Sequence, residues 1–257
     1  MITAGIDVGA KWVKVVVLRD GEVIGRARAL TGFEQTESAK TAFDDALRDA
    51  GLTAERIDAA AATGAGRRDA PGNPIELTEV TAAAIGAVHV VPSARTVIDV
   101  GAEEGRAIKV TAEGKVSDFA VNEKCAAGSG AFTEAMARAL ETPVEEIGAL
   151  SLKSSRTIPM NAQCAVFAES EVVSLLHAKT PKADIARAVH DAIANRIVSM
   201  ARKVGINEDV VVIGGVARNV GFIDSVQREL NVKVKVPEDT EYVSALGAAL
   251  HAATAEV

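Results

Sequence analysis

The sequence has few aromatic residues, only two cysteines and no long apolar stretch, and each shortage excludes a class of protein. Aromatic residues make up 3% of the 257 residues and the net charge is −7, so the chain lacks the stacking platforms and the positive field that nucleic-acid binding uses. Its longest apolar runs, such as residues 59–62 and 210–213, fall far short of the roughly 20 residues that cross a bilayer. Hydrophobic residues at 48% and charged residues at 25% are typical of a globular protein. We therefore expect a soluble protein that binds neither nucleic acid nor a membrane.

The first residues have neither the basic segment nor the apolar segment of a secretory signal peptide. We therefore expect the protein to be cytoplasmic. In that reducing compartment the two cysteines, Cys125 and Cys164, are not expected to form a disulfide framework. Packing, catalysis and metal binding remain as their alternative roles.

A short segment occurs twice in the chain. Residues 6–9, with the sequence Ile-Asp-Val-Gly, recur as residues 98–101, which lie 92 positions later. Each copy is followed by a second apolar run, a glycine turn and a third run, a pattern that predicts a strand followed by a hairpin. In the first copy, helical spacing over residues 36–50 and an apolar run over residues 57–62 extend the prediction to β-β-β-α-β. A further helix is predicted over residues 76–89.

These patterns predict an α/β fold with a duplicated β-β-β-α-β-α core. We place the domain boundary at Pro92, which gives domains of residues 1–92 and 93–257, with the last helix packing back on the first domain. No linker rich in proline, glycine or serine separates the halves, so we expect them to pack closely around a cleft. In the second half, helices are predicted over residues 129–141, 164–178, 182–204, 220–230 and 242–254, and strands over residues 210–213 and 232–236.

The repeated segments have the chemistry of a phosphate site. An Asp at the end of a buried strand, followed by a glycine turn, offers a carboxylate to Mg²⁺ and backbone N–H groups to phosphate oxygens. One such turn is as consistent with an ordinary strand ending, but the duplication of Asp7 as Asp99 favours a binding site. Lys11 and Lys14 follow the first turn, and we favour Lys14 as the residue that reaches a polyphosphate. A third element, the double glycine after residues 210–213, allows a flat ligand such as adenine to approach the backbone.

These three elements, in this order, resemble the phosphate and adenosine motifs of the actin, Hsp70 and sugar kinase superfamily of ATPases. The resemblance implies a two-domain actin-like (ribonuclease H-like) ATPase fold that binds Mg²⁺ and ATP in the cleft. The predicted catalytic residues, which would orient the attacking water, are Asp99 and Glu103. The predicted nucleotide-binding residues are Asp7, Gly9, Ala10, Lys11, Lys14, Gly101, Ala102, Gly214, Gly215, Val216 and Asn219.

Both cysteines precede predicted helices. A helix N-terminus favours a thiolate and an anionic metal cluster, whereas the alternative is that both thiols are simply buried. Two thiolates cannot complete a four-cysteine iron–sulfur site, so a second chain would have to supply the others. The residues alone leave both interpretations open.

A narrower resemblance bears on the cysteines. The segments 122–132 and 164–172, together with residues 214–219, are similar to the activator ATPases of 2-hydroxyacyl-CoA dehydratases and to the ATPase subunits of benzoyl-CoA reductases. The resemblance implies that Cys125 and Cys164 of each subunit bind one 4Fe-4S cluster shared across a dimer. It further implies that ATP hydrolysis drives an electron from the cluster to an acyl-CoA-reducing or dehydratase partner protein.

The sequence departs from the pattern of this family at four positions. Ala10 replaces a usual Ser or Thr, Glu103 and Glu104 replace Gln and Asp, and Ala83 replaces a frequent His. These departures favour a specialised chain, one of two unlike ATPase subunits of a benzoyl-CoA reductase type enzyme. The alternative is a homodimeric activator of a 2-hydroxyacyl-CoA dehydratase. More distant alternatives are a small-molecule kinase and a non-redox actin-like assembly ATPase.

Overall fold

The computed structural model describes residues 1–122, 129–160 and 164–254, and its elements in those ranges follow. The strands are β1 (Ile2–Val8), β2 (Trp12–Arg19), β3 (Glu22–Leu30), β4 (Ala59–Thr63), β5 (Ile75–Glu76), β6 (Thr96–Val100), β7 (Gly105–Val110), β8 (Val116–Asn122) and β9 (Val210–Ile213). The helices are α1 (Gln35–Asp49), α2 (Glu79–Val90), α3 (Gly130–Ala139), α4 (Val144–Ser151), α5 (Ala165–His177), α6 (Lys182–Val204), α7 (Val220–Leu230) and α8 (Val243–Ala252).

The two sheets have matching topologies. The first has the strand order β3-β2-β1-β4-β5 and the second has the order β8-β7-β6-β9. In each sheet the repeated segment forms the central strand, β1 or β6, which pairs antiparallel with the hairpin strand and parallel with a strand that follows a helix. Parallel pairing needs such a helical crossover, whereas the antiparallel strands need only a tight turn. The strand-and-hairpin repeat predicted from the sequence is therefore present.

Helices cover both sheets with small apolar side chains. The buried face of α1 packs on the first sheet through Ala39, Ala42 and Phe43, and α6 lies in the core of the second sheet. Helix α2 precedes the second sheet in sequence and packs on it. Helix α8 comes last in the chain and packs on the first sheet, where Ala245 and Ala249 contact β2. These two helices also contact each other. The chain crosses between the sheets twice, because α2 follows the strands of the first sheet but packs on the second, whereas α8 follows the second sheet but packs on the first.

Three details differ from the sequence-based prediction. The strand predicted over residues 232–236 is wrong, because only Lys235 pairs with the sheet, through a single bridge to Val211. Helix α2 begins at Glu79, three residues after the predicted start at residue 76. The Thr78 hydroxyl caps the helix there by accepting a hydrogen bond from the Thr81 N–H. Helix α4 was not predicted, because its eight residues are too short for a clear period. No helix in the described ranges is both long and apolar enough to span a bilayer.

Candidate active site

A cavity of about 700 Å³ lies between the two sheets, at the ends of β1 and β6. This volume falls in the usual range for sites that bind small molecules. All thirteen residues predicted from the sequence to be catalytic or to bind the nucleotide line this cavity. The structure therefore brings three separate sequence motifs together around one site.

The first of the two predicted phosphate turns follows β1. Asp7 is 8% exposed, and its Oδ2 accepts a hydrogen bond from Lys14 Nζ at 2.8 Å. The N–H of Gly9 donates to the carbonyl of Trp12 at 3.1 Å and closes the turn. This internal bond leaves the N–H groups of Ala10 and Lys11 as the predicted phosphate donors of the turn. Lys14 therefore reaches the site, where it holds a carboxylate.

The second turn repeats this arrangement with a different cation. The N–H of Gly101 donates to the carbonyl of Glu104 at 2.9 Å, as Gly9 does in the first turn. Arg106 lies opposite Asp99 in the pairing of β6 with β7, at the register position that Lys14 occupies opposite Asp7. Asp99 and Arg106 are each only 6% exposed. The duplicated segment therefore places one cation beside each aspartate, the half-buried Lys14 beside Asp7 and the buried Arg106 beside Asp99.

Arg106 binds three carboxylates at once. Its Nη1 lies 3.2 Å from Asp99 Oδ2, and its Nη2 lies 2.6 Å from Glu79 Oε1 on α2 and also contacts Glu104. Burial raises the pKa of Asp99, an effect that Arg106 opposes and Asp7 reinforces from across the cavity. Burial likewise raises the pKa of Glu79, again against the charge of Arg106. Arg106 thus limits, without cancelling, the rise in the pKa of the predicted catalytic residue Asp99.

Two glycines with positive φ follow the strands that pair in parallel with β1 and β6. Gly64 has φ +93° and follows β4, and Gly214 has φ +88° and follows β9. A Cβ at Gly64 would lie 2.3 Å from the Val8 carbonyl oxygen, and one at Gly214 would lie 2.4 Å from that of Val100. Neither position tolerates a side chain, because both the backbone conformation and the space require glycine.

The predicted adenosine residues form the far end of the cavity. Gly215 begins a short 3₁₀ turn that leads to Asn219, and Asn219 caps α7. Helix α4 faces this turn, and its Val144, Gly148 and Ala149 also line the cavity. This helix was missed in the sequence analysis and adds an apolar wall where a flat ring would bind.

His190 fixes the orientation of Asn219. Asn219 Oδ1 accepts hydrogen bonds from the N–H groups of Gly221 (3.0 Å) and Phe222 (3.1 Å). Its Nδ2 therefore faces His190 Nε2 at 3.0 Å. An amide nitrogen only donates, so Nε2 must be the unprotonated acceptor of a neutral imidazole. His190, to which the sequence analysis gave no role, is fully buried and orients a residue of the predicted adenosine end of the site.

We expect His190 to make folding sensitive to mild acid. Burial lowers the pKa of His190 to about 4, and the neighbouring Asp191 opposes this only in part. The folded-state value lies below the ordinary 6.5, so its contribution to stability is complete above pH 6.5 and is lost as the pH falls towards 4. The free energy of unfolding of the native chain, minus that of His190→Gln, is expected to fall by roughly 3 kcal/mol over this interval.

Urea denaturation at several pH values measures this difference. His89→Gln is the matched control, because His89 is an exposed histidine at the end of α2. A constant difference between the native chain and His190→Gln from pH 6.5 to pH 4 would contradict a neutral, buried His190.

The cavity has an excess of negative charge. Its lining includes five basic side chains and eight carboxylates, and the carboxylates are Asp7, Glu79, Asp99, Glu103, Glu104, Glu134, Glu145 and Glu241. A polyphosphate would be repelled by this lining unless a cation accompanied it. Among the described residues no group of three or more acidic, histidine or cysteine side chains is arranged to hold a metal ion. The lining therefore suits a cation such as Mg²⁺, which uses one or two carboxylates together with phosphate oxygens and water.

The two candidate cluster ligands lie away from the cavity lining or outside the described residues. Cys164 is a free, half-buried thiol at the N-cap of α5. Val166 and Phe167, in the first turn of that helix, are 68% and 67% exposed. Cys125 falls in residues 123–128, which lie outside the described ranges.

Several residues of the site were missed in the sequence analysis. Arg106 could have been found, because it follows Asp99 by seven residues as Lys14 follows Asp7. Glu134 was not predicted from the sequence to belong to the site, but its Oε1 lies 2.6 Å from Lys11 Nζ. No local pattern indicates this contact, since the two residues are 123 positions apart.

Comparison with known proteins gives consistent results over nearly the whole chain. A model of the BadF/BadG/BcrA/BcrD ATPase family matches residues 4–252. The activator of lactoyl-CoA dehydratase from Anaerotignum propionicum is 38% identical over 252 residues, which cover 98% of this chain and 97% of that protein. One of the subunits of benzoyl-CoA reductase from Thauera aromatica is 34% identical over 260 residues, which cover 97% of this chain and 92% of that protein.

A solved structure is similar to the whole fold. It is the activator of the 2-hydroxyisocaproyl-CoA dehydratase from Clostridium difficile with bound ADPNP, and it has a TM-score of 0.92 at 34% identity. The similarity covers 98% of this chain and 94% of that structure. The actin-like α/β fold with a duplicated core, predicted from the sequence, is thereby confirmed.

Proposed function

The chain belongs to the BadF/BadG/BcrA/BcrD ATPase family, and from this premise we propose that it is the ATP-hydrolysing activator of a 2-hydroxyacyl-CoA dehydratase. The observation that carries the proposal is the similarity, over nearly the full length of both chains, to two proteins named as dehydratase activators. In this role the chain binds ATP between its two sheets and delivers an electron to a separate dehydratase protein.

A second candidate function is that of an ATPase subunit in a benzoyl-CoA reductase type enzyme. The 34% identity to the Thauera aromatica reductase protein supports it. The four departures from the family pattern favoured this function at the level of the sequence. The higher identity to an activator, and a solved activator structure with the same fold, favour the activator instead. One departure, Ala83, is fully buried where α2 packs on the second sheet and does not line the cavity.

The nucleotide phosphates lie, in this proposal, between the two glycine turns. Asp7 and Asp99 each have one carboxylate oxygen held by a cation, at Lys14 and Arg106, so that the other remains for Mg²⁺ or its bound water. The backbone N–H groups after each aspartate bind the phosphate oxygens. Adenosine lies at Gly214, Gly215, Val216 and Asn219.

Hydrolysis needs a group that orients the attacking water. Asp99 is our first candidate, because it lines the cavity at the second turn and burial raises its pKa, which suits a carboxylate that takes a proton from water. Glu103 is the second candidate, since it is exposed and lines the same cavity.

The surroundings of Cys164 support a role as a ligand of a 4Fe-4S cluster shared by two subunits. The thiol is free and lies at the N-cap of α5, where the positive end of the helix favours an anionic group. The exposed Val166 and Phe167 form an apolar surface beside it, of the kind that a second subunit covers. A cluster bound there would supply one-electron transfer. Cys125, the other proposed ligand, has a sequence position just before α3.

The test is to purify the chain alone without oxygen and to measure iron, acid-labile sulfide and ATP hydrolysis. We expect about four irons per dimer, ATP turnover, and ATP-dependent reduction of a 2-hydroxyacyl-CoA dehydratase. Iron that is bound only after co-expression with an unlike ATPase subunit would support the reductase type enzyme. A colourless protein that hydrolyses ATP would contradict both functions.

A further inference from the structure

Helix α3 joins the two phosphate turns. The N–H groups of Gly130 and Ala131, at its start, donate to the carbonyls of residues 101–102 at 2.9 and 2.8 Å. One turn later, Glu134 Oε1 lies 2.6 Å from Lys11 Nζ on the first phosphate turn. The helix is therefore bound to one turn through its backbone and to the other through one ion pair.

The Lys11–Glu134 bridge is exchangeable. The side chains of Lys11 and Glu134 are 42% and 31% exposed, and ion pairs with such access to water are screened and contribute little to stability. Both residues line the cavity. A polyphosphate between the turns brings several negative charges close to Lys11. Lys11 therefore has two competing anionic partners, a carboxylate of the protein and a phosphate of the ligand.

We propose that Glu134 is a positioning residue that competes with the terminal phosphate of ATP for Lys11. The inference rests on the proposed placement of the phosphates between the turns, and it adds the contact that distinguishes ATP from ADP. With ADP, the Lys11–Glu134 bridge persists. With ATP, Lys11 binds the terminal phosphate and Glu134 is released. The hydrogen bonds of Gly130 and Ala131 hold the start of α3 at the second turn in both states, so only its contact with the first turn changes.

A double-mutant cycle tests this competition. Lys11→Met, Glu134→Gln and the double variant are titrated with ADP and with ADPNP, a non-hydrolysable ATP analogue, in excess Mg²⁺, and the dissociation constants are measured by calorimetry. Trp12, the only tryptophan of the chain, lines the cavity next to Lys11 and gives a second, fluorescent readout of binding. Glu146→Gln is the matched control, because it removes the charge of an exposed carboxylate on α4 that does not line the cavity.

We expect Glu134→Gln to tighten ADPNP binding about fivefold, which is about 1 kcal/mol, and ADP binding less than about twofold. In the Lys11→Met background the Glu134→Gln substitution should no longer distinguish the two nucleotides. The control should change both affinities less than about twofold. Equal effects of Glu134→Gln on ADP and ADPNP, or an undiminished effect without Lys11, would overturn the proposal.

This experiment is independent of the cluster and of any partner protein. It needs only nucleotide binding, so a chain without iron still gives a decisive result. Absence of iron would contradict the proposed electron transfer and leave the competition for Lys11 intact. If Glu134→Gln changed ADP and ADPNP binding equally in an iron-loaded chain, the competition for Lys11 would be contradicted and the proposed electron transfer would stand.

Discussion

Replacement of Arg106 by methionine is expected to lower the free energy of unfolding by about 3–5 kcal/mol and to slow ATP hydrolysis by about 10²–10³-fold. The side chain of Arg106 is 7% exposed and that of Asp99 is 8% exposed, so methionine would leave a buried carboxylate without its cation. Glu79 and Glu104 would lose the same partner. Removal of one member of a buried ion cluster costs far more than the cluster contributes as a whole, because the remaining charges stay desolvated.

The pH dependence gives this prediction a definite sign. Arg106 opposes the upward shift that burial causes in the pKa of Asp99, so its removal raises that pKa further. A carboxyl whose folded pKa lies above its unfolded value destabilises the fold at higher pH and ceases to do so as it is protonated. The stability deficit of Arg106→Met should therefore shrink as the pH falls through the folded pKa of Asp99.

Denaturant unfolding from pH 7 to pH 4 and steady-state ATP hydrolysis measure these effects. Arg106→Lys keeps a cation at the position that Lys14 occupies in the first sheet, and we expect it to recover most of the stability and only part of the turnover. Arg48→Met is the matched control, since Arg48 pairs with Asp45 on the surface and is 75% exposed. A deficit that grows in acid, or an Arg106→Met variant as stable as the control, would contradict the prediction.

Replacement of Cys164 by serine is expected to abolish the iron content and to leave ATP hydrolysis within about twofold of the native rate. The proposed cluster requires four thiolates from two chains, and the substitution removes two of them per dimer. Cys164 does not line the cavity between the sheets, so nucleotide binding has no direct contact to lose. Serine is also a favourable N-cap residue, so α5 should retain its first turn.

Iron, acid-labile sulfide and the visible spectrum of anaerobically purified protein measure this loss. Ser170→Ala, on the exposed side of the same helix, is the control, because it removes only a hydroxyl that bonds the carbonyl of Val166. The control should keep about four irons per dimer. A Cys164→Ser protein with unchanged iron would remove Cys164 from the ligand set and reduce the thiol to a packing role.

The sequence predicted most of the secondary structure, because the signals that govern it are local. Helices α6 and α7 begin and end at the predicted residues, and β9 does as well. The failures have local causes too. Residues 232–236 alternate like a strand, but alternation does not establish that a neighbouring strand is present, and only Lys235 reaches one.

The sequence by itself also predicted thirteen of the residues that line the cavity. The duplicated Asp-Val-Gly segments place an aspartate and a glycine turn at the end of each central strand, and the double glycine follows the strand parallel to β6. Each of these features depends on residues that are close together in the chain. Strands β6 and β9 are neighbours, so the second turn and the double glycine meet at one edge of their sheet. The first turn belongs to the other sheet and joins them because the two sheets face each other across the cavity.

Only the tertiary structure decided how the side chains of the site are partnered. Glu134 reaches Lys11 across 123 positions, and His190 reaches Asn219 across 29. The exchange of α2 and α8 between the sheets brings Glu79 to Arg106. Spacing along the chain reports neighbours within one helix or hairpin, whereas these contacts arise where separate elements pack against each other. The residue types of the site were therefore fixed by local sequence, and their charge states and competing partners were fixed by packing.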